Sequence, residues 1–352
     1  MNIQRVPRIE LRTSPHLKNA PSVVEIMRNV VYALVPICGY AVYQFGISAL
    51  ALIVVVTGAC LATERFFNWM SEKPSTLGDW SAAITGLLLA LTLPPGFPLW
   101  MGAVAGFVAI ALGKAIFGGL GFNVFNPALV GRAFVQAAFP VAITTWTPPF
   151  APGRFTEFIP SSLALPLMTP PPVGDWVKSL NVDAFSGATP LAEWKFEGIT
   201  ANTIDLFTGM TAGSAGETSA LLILLCGAYL ALRRMMDWRI PAAMLLGAFV
   251  TAGLFYLQDA GRYPEPLFVL FSGGLMLGAV FMASDMVGSP VTPLGIWIYG
   301  LFIGFLTVII RFFGGLPEGV MYAILLGNAL APLIESVTQP RIYGARKREV
   351  RK

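Results

Sequence analysis

The stretch Phe312-Phe313-Gly314-Gly315-Leu316 closes an apolar run, and the chain holds a near copy of it at Ile116-Phe117-Gly118-Gly119-Leu120. Each copy follows a proline break, Leu93-Pro94-Pro95 before the first and Ser289-Pro290 before the second. Pro94 precedes Gly118 by 24 positions, and Pro290 precedes Gly314 by the same 24. Working outward from these marks, apolar runs long enough to span a bilayer, or nearly so, fall at about 29–46, 47–62, 79–95, 99–116 and 127–146. A second set falls at about 217–232, 240–257, 267–284, 293–311 and 317–336. Five spans per half oblige the second half to cross the membrane in the opposite sense. That is the inverted repeat of many transporters, whose broken helices meet near the midplane. The expected fold is an all-α polytopic membrane protein. It has about ten transmembrane helices in two inverted five-helix halves with broken helices, plus one extracytoplasmic segment.

Composition agrees. Of 352 residues 55% are hydrophobic and 12% charged, and mean hydropathy is +0.69; soluble domains carry about 25% charged residues. The start of the chain is polar and basic and has no cleavable-signal pattern. The expected organisation is a tail at 1–28, a first half at 29–146, a polar segment at 147–216, a second half at 217–336 and a basic tail at 337–352.

Basic residues set the expected orientation. One side collects Arg5, Arg8, Arg12, Lys18, Arg28, Arg65, Lys73, Lys114, Arg233, Arg234, Arg239 and the basic C-terminal tail. The other receives Arg154, Lys178, Lys195, Arg262 and Arg311, and Arg132 falls within a span. Both termini are then cytoplasmic and 147–216 is extracytoplasmic.

That segment contains Asp183-Ala184-Phe185-Ser186-Gly187-Ala188-Thr189-Pro190-Leu191. D-x-x-S-G-A-T resembles the acceptor motif for covalent flavin attachment, in which a transferase joins the phosphate of FMN to the Thr hydroxyl. Gly187 and Ala188 leave the backbone bare for a bulky group. Asp183 suits a metal–phosphate group during transfer, and Pro190 stiffens the exit. Thr189 is expected in a polar loop, with Ser186 the nearest competing hydroxyl. The alternative is a plain Gly/Pro turn with a solvated threonine.

Further motifs run the length of the chain: Thr13-Ser14-Pro15-His16, then Leu77-Gly78-Asp79-Trp80-Ser81-Ala82-Ala83-Ile84-Thr85-Gly86-Leu87, then Gly121-Phe122-Asn123-Val124-Phe125-Asn126-Pro127-Ala128. After them come Gly213-Ser214-Ala215-Gly216-Glu217-Thr218-Ser219, Phe281-Met282-Ala283-Ser284-Asp285-Met286-Val287 and Gly327-Asn328-Ala329-Leu330-Ala331-Pro332. Together they resemble the D subunit of the Rnf ion-translocating oxidoreductase complex, and more distantly the B subunit of the sodium-pumping NADH:quinone oxidoreductase. The resemblance implies FMN on Thr189 through a phosphoester, so that the chain is a phosphoprotein. It implies a second, non-covalent flavin, riboflavin in the sodium-pump relative, at the broken helices. Asn123 and Asn126 are the expected contacts there, since an isoalloxazine edge needs donors and an acceptor and an amide offers both. Asn126-Pro127 also has the pattern of a helix N-cap followed by Pro at the first helical position, and the two roles are compatible.

The implied function is a flavin-carrying subunit of a ferredoxin:NAD electron-transport complex in the bacterial inner membrane, coupled to Na⁺ or H⁺ movement. The implied partners are other membrane and iron–sulfur subunits and a flavin transferase, and no nucleic acid. The rival readings are a transporter or channel without redox chemistry and a structural anchor for a redox assembly. Cys38, Cys60 and Cys226 form no C-x-x-C, so iron–sulfur ligation is not expected here. His16 is expected to be solvated. Asp79, Lys114, Arg132 and Asp285 fall in or beside spans, at ends or breaks that water reaches. Charge there is a functional hypothesis, and Asp79 and Asp285 are the candidates for an ion path.

Overall fold

The computed structural model describes residues 21–166, 168–179, 188–217 and 219–340. Among them every regular element is helical. The first half holds α1 (Val23–Phe45), α2 (Ile47–Met70), α3 (Ser81–Leu91), α4 (Leu99–Ile110), α5 (Pro127–Ala138) and a last turn, α6 (Pro140–Ile143). The connecting segment carries α7 (Val173–Ser179), α8 (Pro190–Glu197) and α9 (Thr203–Thr208). The second half holds α10 (Ala220–Leu232), α11 (Arg239–Gln258), α12 (Pro266–Phe271), α13 (Leu275–Leu277), α14 (Pro293–Phe313) and α15 (Val320–Thr338).

Five of these, α1, α2, α11, α14 and α15, are long and apolar enough to cross a membrane. The others are shorter. At about 1.5 Å per residue, the 11 residues of α3 cannot cover a hydrocarbon layer of about 30 Å. The remaining crossings are therefore built of pieces. α4 runs on into a wider π turn at Ala111–Ala115. α12 and α13 are separated at Ser272-Gly273-Gly274 and continue as a second π turn, Gly278–Met282.

The two halves share a packing scheme. α2 lies on α3 and α4, and α4 on α5; in the same order α11 lies on α12 and α14, and α14 on α15. The directions are opposed. The end of α1 meets the connecting segment, where Ile47 N–H donates to Arg154 O at 2.9 Å. In the second half it is the start of α10 that emerges from that segment. The two Phe-Gly-Gly stretches occupy matching places with different backbones. Gly118 and Gly119 take φ of +112° and +116°, while Gly314 is extended and caps α14 through Ile310 O.

Backbone freed at the breaks is paired within the protein, as a membrane interior requires. Past α3, Leu91 O and Leu93 O accept from Gly216 N–H (2.8 Å) and Ala215 N–H (3.1 Å). Past α12, Val269 O and Ser272 O accept from the two terminal nitrogens of Arg311 at 2.6 and 3.0 Å. Arg311 is fully buried in the last turn of α14. It is a structural cap inside the bundle and leaves the set of loop charges in which its sequence position had put it. Lys114 leaves that set too, being buried against Glu64.

Candidate functional site

Two sites come together, one at each end of the bundle. The first lies at the seam between the halves, toward the end where α1 begins. A cavity opens there. Its walls are mainly apolar, from Met27 and Val30 of α1, Ile84 and Leu88 of α3, Leu230 of α10, and Val280 and Phe281 of the second π turn. A few polar groups converge on it: Ser81, Thr85, Lys114, Asn123, Asn126, Ser284 and Asp285. An apolar cleft with a few placed polar groups has the chemical make-up of a cofactor site.

The expected asparagines both line this cavity, with different duties. Asn126 is 5% exposed. Its Oδ1 accepts from Ala128 N–H (3.0 Å) and Leu129 N–H (3.4 Å), capping α5, and its Nδ2 donates to Met282 O at 3.3 Å in the other half. Its amide is thus engaged in joining the two broken helices. Asn123 Nδ2 donates to Phe125 O at 3.2 Å, and its amide also meets the Asp285 carboxylate. Asp285 accepts from Val287 N–H at 3.4 Å. Of the two candidate ion-path residues, Asp285 faces the cavity; Asp79 stands beside it, accepting from Ser81 N–H at 2.8 Å with its other oxygen 3.9 Å from Lys114 Nζ. Lys114 and Arg132 do not lie in water-accessible ends. Lys114 is 4% exposed and donates to Glu64 at 2.6 Å. Glu64, in the last turns of α2 beyond the expected run, completes that pair.

The second site is at the opposite end. Arg132 bonds Glu217 at 2.7 Å and Glu318 at 2.9 Å. Glu318 also accepts from Gly274 N–H at 2.9 Å, within the α12–α13 break. The guanidinium suits this bridge because its fork serves two carboxylates at once. Beside the cluster a smaller cavity is lined by Trp146, Thr189, Ser214, Glu217, Gly273 and Glu318.

Thr189 therefore does not stand in a solvated loop. It is 8% exposed and is the N-cap of α8, its Oγ1 accepting from Ala192 N–H at 3.3 Å. Pro190 occupies the first helical position after it, the usual order for a helix start. The Thr189-Pro190 pair is the sequence signal that fits this cap. Ala188 is half-buried beside Thr189; Asp183, Ser186 and Gly187 lie outside the described residues. The three cysteines are free, Cys60 and Cys226 in the interior and Cys38 half-buried, and the described residues hold no metal-ligand cluster of His, Cys, Asp or Glu.

A family described as NQR2, RnfD, RnfE matches residues 10–344. The chain belongs to this family. It is 41% identical over 343 residues to the D subunit of the Na⁺-translocating ferredoxin:NAD⁺ oxidoreductase complex of Acetobacterium woodii, covering 96% of each chain. It is 39% identical over 347 residues, again 96% of each, to the D subunit of the proton-translocating ferredoxin:NAD⁺ oxidoreductase complex of Clostridium ljungdahlii. With the D subunit of the ion-translocating oxidoreductase complex of Actinobacillus succinogenes it shares 35% over 350 residues, 95% of this chain and 98% of that one. Similarity of this extent covers both halves, both sites and the connecting segment of this family member.

Proposed function

We propose that this chain is the flavin-carrying membrane subunit of an ion-translocating ferredoxin:NAD electron-transport complex. The observation that carries the reading is end-to-end similarity to D subunits named for that activity, in a chain that also holds an acceptor-like Thr189 and a mainly apolar cavity with a few polar groups at its broken helices. A flavin supplies one- and two-electron transfer when bound, and the protein supplies position and electronic tuning. Thr189 offers the oxygen for FMN, and α8 fixes where that oxygen stands. The seam cavity suits riboflavin: apolar walls for a ring system, the Asn123 amide for its polar edge, and the Lys114 and Asp285 charges to tune it. Asn126 holds the cavity's frame.

The proposed setting is the bacterial inner membrane with both termini cytoplasmic and the α7–α9 segment outside. Arg28, Arg65, Lys73, Arg233, Arg234 and Arg239 support it, since they gather at the end of the bundle away from that segment even without Lys114. Other membrane subunits, iron–sulfur subunits and a flavin transferase are the proposed partners. Two of these relatives are named for different ions, so the ion is set by local side chains rather than by the fold. A transporter without redox chemistry accounts for the inverted halves but gives the flavin acceptor no purpose. Purified protein is expected to be yellow, with one flavin fluorescence surviving denaturation and a second released by it. A colourless chain of unmodified mass would overturn the proposal.

A further inference from the structure

Thr189 stands immediately before α8, so wherever that helix goes the acceptor oxygen goes too. Three contacts seat the helix on the second half. Lys195 Nζ donates to Arg311 O (2.9 Å), Gly314 O (2.5 Å) and Leu316 O (2.9 Å), the carbonyls left over where α14 ends. Such carbonyls lack intrahelical partners, and a cation there is favoured by the helix dipole. The Trp194 ring lies 5.3 Å from that of Phe312. Leu191, 2% exposed, closes over Gly273, whose φ is +61° and where a Cβ would stand 2.7 Å from Leu191 Cδ1. In this seated position Thr189 is 8% exposed, its hydroxyl engaged with Ala192 N–H, and it lines a small cavity with Trp146, Ser214 and Glu217. Little of the residue is left for a modifying enzyme to enclose.

We propose that Lys195 is the positioning residue that seats the Thr189 helix, and that flavin attachment takes place only while this helix is lifted off the bundle. The inference rests on the reading of Thr189 as the acceptor. An isolated helix of eight residues has little stability of its own, so its seating depends on these docking contacts. Attachment then precedes docking, and docking fixes the attached flavin against the end of α14. In the attachment step Oγ1 forms a bond to phosphorus of a flavin dinucleotide. The pyrophosphate bond breaks, a nucleoside monophosphate leaves, and the hydroxyl proton passes to a base of the enzyme; no electron moves.

The test uses the full chain, made without flavin and held in lipid bilayers, with a flavin transferase and flavin adenine dinucleotide added afterwards. The initial rate of covalent labelling is read as fluorescence in a denaturing gel, and the mobility of the attached flavin as fluorescence anisotropy. Labelling scales with the fraction of chains in the open state. Losing the charged bonds of Lys195 should raise that fraction about tenfold. Lys195→Gln and, independently, Trp194→Ala are expected to label faster than wild type and to carry a more mobile flavin. Thr251→Ala, remote on α11, loosens the bundle without raising the rate. A role in general stability alone would slow labelling or leave it unchanged. Wild-type rates in both Lys195→Gln and Trp194→Ala would overturn the proposal. Label on a Thr189→Val chain would overturn the acceptor reading itself, and this inference with it.

Discussion

Arg132 Nη2 stands 2.9 Å from Glu318 Oε2, so a guanidinium of the first half is bonded to a carboxylate of the second. The same guanidinium holds Glu217 at 2.7 Å, and Glu318 reaches on to Gly274 in the broken helix. One buried side chain thus joins both halves and the break between α12 and α13. Removing a single partner from a buried ion cluster typically costs about 3–5 kcal/mol, because the others stay buried without compensation. Arg132→Met is expected to lower the melting temperature in detergent far more than Glu318→Gln, whose amide oxygen can still accept from Gly274. Equal losses in the two variants would contradict this arrangement.

Asn123 and Asn126 should separate in experiment. Asn126→Leu removes a helix cap, worth about 1 kcal/mol, together with the bond to Met282. It should lower thermal stability and non-covalent flavin together. Asn123→Leu removes a group facing the cavity together with its bonds to Phe125 O and Asp285, and should lower extractable riboflavin by more than its own stability loss of about 1–3 kcal/mol accounts for. Quantifying acid-released riboflavin beside a melting curve checks both, and a full riboflavin complement in Asn123→Leu would take that residue out of the site.

Lys114 and Glu64 form the corresponding buried pair at the seam cavity. Lys114→Met leaves Glu64 buried without its cation, and a loss of about 3 kcal/mol or more is expected. The double variant Lys114→Met, Glu64→Gln should recover much of it. A double-mutant cycle on thermal stability gives the coupling; no recovery in the double variant would show that the two side chains act apart.

Topology is checked by reporters fused after Lys352 and within the segment near Thr156. The first should report cytoplasm and the second the outside. A cytoplasmic signal near Thr156 would reverse the orientation.

Much of this was legible in the sequence. The apolar runs found the helices, since hydrophobic length is what a bilayer selects, but α1 starts at Val23 rather than 29, α2 runs on to Met70 rather than 62, and the run at 267–284 is split. Pro94 and Pro290 do lie outside helices, but Pro36 and Pro332 lie inside α1 and α15, and the break between α12 and α13 falls at Ser272-Gly273-Gly274, within an expected run. Asn126-Pro127 announced a cap, and the structure has one. What escaped was long-range pairing. Glu64, Glu217 and Glu318 gain their meaning from cations 50, 85 and 186 residues away, and no local pattern encodes that. Arg311 looked like a loop charge because it ends an apolar run; its burial depends on carbonyls 42 and 39 residues earlier that only the fold supplies. Thr189 looked solvated because its neighbours in sequence are small and polar, whereas its neighbours in space are Trp146, Phe271 and two glutamates.

The measurement that bears most directly on the central claim is the mass and in-gel fluorescence of the denatured chain in wild type, Ser186→Ala, Thr189→Val and Thr189→Asn. Because Thr189 caps α8, the Val variant loses about 1 kcal/mol of helix stabilisation, while Asn keeps a capping oxygen that cannot form the phosphoester. Wild type is expected to carry the added mass of one FMN and to fluoresce. Ser186→Ala should remain labelled, and both Thr189 variants should be dark at equal expression. A fluorescent Thr189→Asn chain, or a wild-type chain of unmodified mass made beside an active flavin transferase, would contradict the account.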